Sequence, residues 1–219
     1  MITNEHTAVI CTTLNKIREC VPYVDKWRDL LSHLGKTGAD DEPLPLLTVL
    51  DVCGLDDALR CLRTVPRYRA MWRHYAVDCA GRVWHLLTDE RSREALRMAR
   101  RHALGLVADL DLGAALVGAR AAAWTAMEFA GTARGTHALA SARAALAVKD
   151  AAEVESDVGV RLAAENAALA AGEAAAADAT AKTERDAARV AAMNTERQWQ
   201  TARLRKLLTD GAWSPVEEA

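Results

Sequence analysis

Phenylalanine is nearly absent, with one residue in 219, and only three tyrosines accompany it. Stretches that alternate apolar and polar residues are missing too, so the sequence predicts no sheet. Alanine, leucine, arginine and glutamate dominate instead, which is the composition of a helical protein. No window reaches the roughly 18 uncharged apolar residues that a membrane span needs, which argues against a membrane protein. The opening MITNEHTAVICTTLNKIREC has neither a basic n-region nor a long apolar run, so no secretory leader is expected. Cysteine is sparse and unpaired in pattern: Cys11, Cys20, Cys53, Cys61 and Cys79 are odd in number and show no C-x-x-C spacing. A disulfide framework is therefore not expected, and reduced thiols in a cytoplasmic chain are.

What is present is helix punctuation. The best of it lies between Gly54 and Gly105. Asp56 or Asp57 can cap a helix carrying Leu55, Leu59, Leu62 and Val65, which Pro66 stops because proline lacks the amide hydrogen a continuing helix needs. A second helix is predicted from Tyr68, with Tyr68, Trp72, Tyr75, Cys79, Val83 and Leu86 on one stripe. Thr88 or Asp89 caps a third, with Leu96, Ala99, Ala103 and Leu106 inward and Arg93, Arg97, Arg100 and Arg101 wet.

Residues 7–34 read as an amphipathic helical region with Val9, Leu14, Ile17, Val21, Val24, Trp27, Leu30 and Leu31 on its buried side and Pro22 as a kink. GKTGADDEPLP (35–45) is a loop, and Leu44–Val52 is a short buried helix rather than a strand without a partner. Ala108 to Gly113 reads as a connection. The alanine tract from Ala114 to Met193 then predicts two or three long helices, breaking near Gly131–Gly135 and near either Gly159 or Ser156–Asp157. Leu116, Trp124, Met127, Leu139, Leu146, Leu162 and Leu169 are among its larger apolar residues. Lys182–Leu208 is one more helix, with Val190, Met193, Trp199, Leu204 and Leu207 approximating a stripe, and Gly211 as its stop.

Motifs for chemistry fail one by one. Gly35-Lys36-Thr37 lacks the rest of a phosphate-binding loop and follows a helical pattern where a buried strand is required. His74, Cys79 and His85 stand five, six and eleven residues apart, which does not stack ligands on one helical face. Cys61 and Cys79 lie on apolar stripes, so a core role is expected in preference to that of a nucleophile. No catalytic residue, metal or cofactor is predicted, and the chain is read as not an enzyme.

Charge is close to balanced at −2. The sum hides a basic run from Arg60 to His102 and an acidic lean from Glu153 to Asp186. Arg67, Arg69, Arg73, Arg82, Arg93, Arg97 and Arg101 are the candidate partner-binding residues. Two other roles stay open for them: phosphate contacts with a nucleic acid, or pairing inside the molecule with Asp56, Asp57, Asp78, Asp89 and the acidic half. Trp72, Trp84 and Trp124 are expected to fill helix interfaces. Trp27, Trp199 and Trp213 are better placed for exposure, where tryptophan and arginine anchor protein contacts. Alanine-rich charged helices also self-associate, so a homodimer is a further expectation.

Three segments carry a family likeness: GLDDALRCLRTV (54–65), RHYAVDCAGRVWHLLTDERSREALRMARRHALG (73–105) and TERQWQTARLRKLL (195–208), with the alanine tract between the last two. Together they resemble alanine-rich proteins of actinobacterial phages and bacteria that are commonly labelled immunity proteins. The likeness covers about residues 44 to 208 and leaves the first forty outside it. It implies an all-helical protein without catalysis that binds and neutralises a toxin, and it carries over no functional residue.

The expectation is an all-α helical bundle whose short-helix N-terminal part packs on long alanine-rich antiparallel helices. Its parts would be an N-terminal subdomain (1–107), an alanine-rich bundle (108–210) and a tail (211–219). Its expected role is that of a non-enzymatic module of phage or bacterial conflict systems that occludes a protein partner. The alternatives are a nucleic-acid-associated protein and a structural homo-oligomer.

Overall fold

A computed structural model of the chain describes residues 9–19, 24–133, 135–153 and 157–210. Among the described residues the fold is all-α apart from one two-residue strand pair, and the chain divides into two compact units, residues 1–71 with 201–219 and residues 72–200.

In the first unit, β1 (Cys11–Thr12) pairs antiparallel with β2 (Leu44–Pro45), Cys11 opposite Pro45. Thr13 then caps α1 (Leu14–Arg18) by accepting the Lys16 amide at 3.2 Å. Helix α2 (Val24–His33) ends at Gly35, whose φ of 65° lets the chain reverse. Lys36 ties the following loop together by donating to Asp40 at 2.5 Å and Glu42 at 2.6 Å, so the lysine of GKT serves its own loop. Helices α3 (Leu46–Cys53) and α4 (Leu55–Arg60) meet at Gly54, where φ is 84°, and two 3-10 turns carry the chain on to Tyr68.

Leu14, Ile17, Leu30, Leu46, Val49 and Leu59 form the core of this unit, and Leu204, Leu207 and Leu208 are buried too. Asp57 is also fully buried and accepts from Arg60 at 2.9 Å with Lys26 at 3.3 Å, a pair of cations that offsets its desolvation. Two expectations change here. The 7–34 region is not helical throughout, because β1 takes part of it. Along this extended stretch Ile10 and Thr12 are buried, while Val9, expected on the buried side, is 61% exposed, the alternation an extended chain imposes. Pro22, Gly211 and Trp213 lie outside the described residues.

The chain passes between units within α5 (Arg69–Gly81). Trp72, Tyr75 and Cys79 fall on the buried stripe read from sequence. The helix does not reach Leu86. It stops at Gly81, a poor helix former, and tightens into 3-10 turns in which the Val83 amide reaches Ala80 and the Leu86 amide reaches Val83. Val83 and Leu87 still reach the core.

Asp89 caps α6 (Glu90–Ala103) by accepting the Arg91 amide at 2.8 Å. This helix closes at Gly105 (φ 70°), so Leu106 falls past its end and is 64% exposed where an inward position was expected. Three long helices follow: α7 (Asp109–Ala133), α8 (Thr136–Ala152) and α9 (Asp157–Ala177). Residues 109–113 belong to α7 and are no connection, since Asp109 and Asp111 favour a helix N-terminus. The break at 131–135 is observed, whereas Gly159 lies inside α9. The last helix, α10, spans Lys182–Asp210. Helices α6 and α7, which the sequence reading separates at residue 107, lie in one unit.

Helices α6, α7, α8 and α9 pack in succession. The buried apolar side chains of α8 and α9 are mostly alanine: Ala142, Ala144, Ala147, Ala163, Ala164, Ala167 and Ala170 are fully buried, with Val148 and Val160 the larger ones among them. Leu139, Leu146, Leu162 and Leu169 are only half-buried at the margins. Such faces let helix axes come close, near the lower end of about 8–10 Å. Gly172 shows the limit, because a Cβ there would stand 2.7 Å from Met193 Cγ and 3.2 Å from the Arg189 carbonyl oxygen. Within this interior, Asp150 accepts from Asn166 at 2.9 Å and from Lys149 at 2.7 Å, and Arg143 donates to Asn166 at 3.3 Å. Gln200 is fully buried and donates to the Ala164 carbonyl at 2.8 Å, while its own carbonyl accepts the Tyr75 hydroxyl at 3.3 Å.

Candidate interaction surface

The seven candidate arginines divide between the units. In the first unit Arg67 and Arg69 are exposed, and the Arg67 guanidinium lies 4.7 Å from the Tyr68 ring centre. In the second unit most of the positive charge is already matched. Arg82 donates to Glu196 at 3.2 Å and covers the Trp199 ring at 4.8 Å. Arg93 donates to the Leu87 carbonyl at 2.6 Å and stands 3.6 Å from Glu90. Arg97 bridges Glu90 at 2.7 Å and Glu94 at 2.6 Å, with its guanidinium 5.4 Å from the Trp84 ring.

Arg73 is half-buried against His102 Nδ1 at 3.5 Å, and His102 Nε2 meets Asp109 at 2.6 Å. The hydrogen bond from His102 holds the Asp109 carboxyl below its ordinary range. Arg101 is exposed at the end of α6. Carboxylates therefore interleave with the arginines of α6, and that surface is a mixed-charge one.

Burial pushes the Glu196 carboxyl above its ordinary value of 4.5, against the opposing pull of Arg82 and Gln200. A carboxyl raised in the fold contributes stability that is complete below 4.5, the unfolded value, and is lost as pH rises through the folded one. Glu196→Gln is accordingly expected to melt higher than the parent at neutral pH, with the gap closing as the buffer is taken below 4.5. Melting curves of both chains across pH check this, and a gap that widens in acid would contradict it.

Cys61 and Cys79 are fully buried, and burial pushes the Cys79 thiol well above its ordinary value. His74 is buried and His85 is exposed. Among the described residues no three His, Cys, Asp or Glu side chains are placed to hold a metal ion, and no helix is long and apolar enough to cross a membrane.

The most distinctive surface was not among the candidates. Helix α7 buries Ala119, Ala122 and Ala123 and, with Leu112 and Leu116 half-buried, leaves its other large residues outward: Leu110 is 84% exposed, Val117 67%, Trp124 69% and Phe129 62%. Trp124 is thus not an interface filler, because the alanine side of α7 faces α6 and α8 and permits closer approach. Met127 is also exposed, and Gly113 and Gly131 on the same helix have open space where a Cβ would stand. Residues 110, 114, 117, 121, 124, 128 and 131 recur at alternating four- and three-residue steps and are all exposed, which makes them one continuous stripe. That spacing is visible in the sequence; what hides it is that tryptophan and valine in an alanine tract suggest interior positions. The family models, the curated proteins and the solved structures with which the chain was compared yield no match.

Proposed function

We propose that this chain is a non-enzymatic protein-binding module that acts by covering a protein partner, in the phage or bacterial conflict setting that the family resemblance implies. The observation that carries the reading is the outward apolar face of α7, with Trp124 at its centre. Contiguous exposed apolar surface of this kind marks protein contact sites, and tryptophan is the residue most often found to dominate them. The paired arginines favour a protein partner over a nucleic acid. A phosphate-binding surface needs cations free to displace counterions, and Arg82, Arg93 and Arg97 are engaged by Glu196, Glu90 and Glu94.

The test is capture by the tagged full chain from an actinobacterial host lysate, with and without nuclease, beside a Trp124→Glu variant that keeps the parent's helical circular dichroism. A stoichiometric, nuclease-resistant protein that the variant fails to capture is the expected result. Capture abolished by nuclease would move the function to nucleic acid.

A further inference from the structure

Resting on the reading of α7 as a protein-contact face, we infer that in the absence of another partner this face closes on α7 of a second copy, the two helices antiparallel. Covering the stripe in this way would regulate the site by self-pairing.

The size pattern along the stripe sets the direction. Leu110, Val117 and Trp124 are seven residues apart and occupy one seam position, while Ala114, Ala121 and Glu128 occupy the other. Antiparallel pairing centred at the level of Ala119 sets Val117 against Ala121 of the second copy, Trp124 against Ala114 and Leu110 against the stem of Glu128. Every large side chain then meets a smaller or flexible one, and the layers keep an even width. Parallel pairing would set Trp124 on Trp124 and Ala121 on Ala121, alternately too wide and too narrow for straight close packing.

Charge does not oppose the contact at its centre. Arg120 flanks the middle of the stripe, and its guanidinium is held by Glu153 of α8 in the same chain. The area is that of a weak, reversible contact. Leu110, Val117 and Trp124 leave roughly 500 Å² in solvent, to which the exposed Ala114 and Ala121 between them add, below the roughly 800 Å² per partner of a standard interface and in keeping with a dimer that comes apart on dilution.

The first measurement is the mass of the full chain in solution by sedimentation across a dilution series, expected at twice 23.7 kDa and falling on dilution. Trp124→Glu should raise the dimer dissociation constant about a hundredfold. Direction is read from disulfide formation above the parent's background with Leu110→Cys and Glu128→Cys. Mixed, the two variants should cross-link; alone, neither should, because identical positions lie about 27 Å apart in the antiparallel pair.

A monomer at every concentration, cross-linking by the single variants, or a dimer indifferent to Trp124→Glu would each overturn the inference. Should Trp124→Glu fail to fold, the cysteine pair still decides. A monomer whose partner capture needs Trp124 would sink self-pairing and leave the occlusion reading intact. A dimer whose partner capture ignores Trp124 would instead sink occlusion through this face and leave self-pairing standing.

Discussion

Replacing Gly172 by leucine is expected to lower the melting temperature by about 10 °C, the largest effect anticipated for any single residue of the α9–α10 contact. A Cβ alone would already come within 2.7 Å of Met193 Cγ, 3.1 Å of Arg189 Cγ and 3.2 Å of the Arg189 carbonyl oxygen. The methionine can swing away; the carbonyl is helix backbone and cannot. Three further leucine carbons therefore force α10 outward. That movement also parts Arg189 from Glu173, whose two hydrogen bonds at 3.0 Å form a bidentate pair beside the glycine.

Overpacking together with loss of that pair amounts to about 3–4 kcal/mol. Gly172→Ala is the control. There the gain in helix propensity, about 1 kcal/mol, opposes milder crowding, and the net change should stay within about 1 kcal/mol. Thermal melts of the three chains decide it. A leucine variant as stable as the parent would mean that the helices do not meet at this glycine.

The second large effect concerns how two alanine-faced helices find one register. Faces of identical methyl groups slide past one another at little cost, so packing alone leaves α8 and α9 under-determined. The chain Arg143–Asn166–Asp150–Lys149 removes the ambiguity, because its bonds form at one offset only. Burial pushes the Asp150 carboxyl above its usual range while Lys149 and Asn166 pull it down, which shows that the group is held at a cost.

Asp150→Ala leaves the Asn166 amide without its acceptor in the interior, an expected loss of about 2–3 kcal/mol. Asn166→Ala should cost less, about 1–2 kcal/mol, because the carboxylate loses one donor but keeps Lys149 at 2.7 Å. The double variant should cost clearly less than the sum, by about 1 kcal/mol or more, since neither group is then left alone. Chemical denaturation of the four chains tests this. Strict additivity would show that the two side chains do not act as a unit.

How much of this was legible depends on the reach of each signal. Helix α10 was readable nearly end to end, and the break at 131–135 followed from glycine, whereas the stop at Gly105 was missed when Leu106 was set on the inward side of α6. Arg97 with Glu94 sits at a spacing that any helix reading supplies. Arg82 with Glu196, 114 residues apart, is a product of tertiary packing that no local pattern carries. The pairing of β1 with β2 was invisible because two residues cannot display an alternation.

Trp124 and Trp72 were read alike and went opposite ways. Periodicity locates a face and is silent on which neighbour covers it. On α7 the methyl-sized side won the contact because the backbone can come closer there. Val190 is a parallel case: it falls on the predicted stripe of α10 and is 56% exposed.

The alanine faces also reverse the usual map of where a protein tolerates substitution. In most cores the large aliphatic residues are the sensitive ones and alanine is the harmless replacement. Here Leu146, Leu162 and Leu169 stand at the edges of the α8–α9 contact, while Ala144, Ala147, Ala163 and Ala167 have no room to grow. A saturation library selected for folding should therefore accept many residues at the three leucines. At the four alanines it should reject nearly everything but glycine and serine, so sequence drift in this fold would erase its large apolar residues before its small ones.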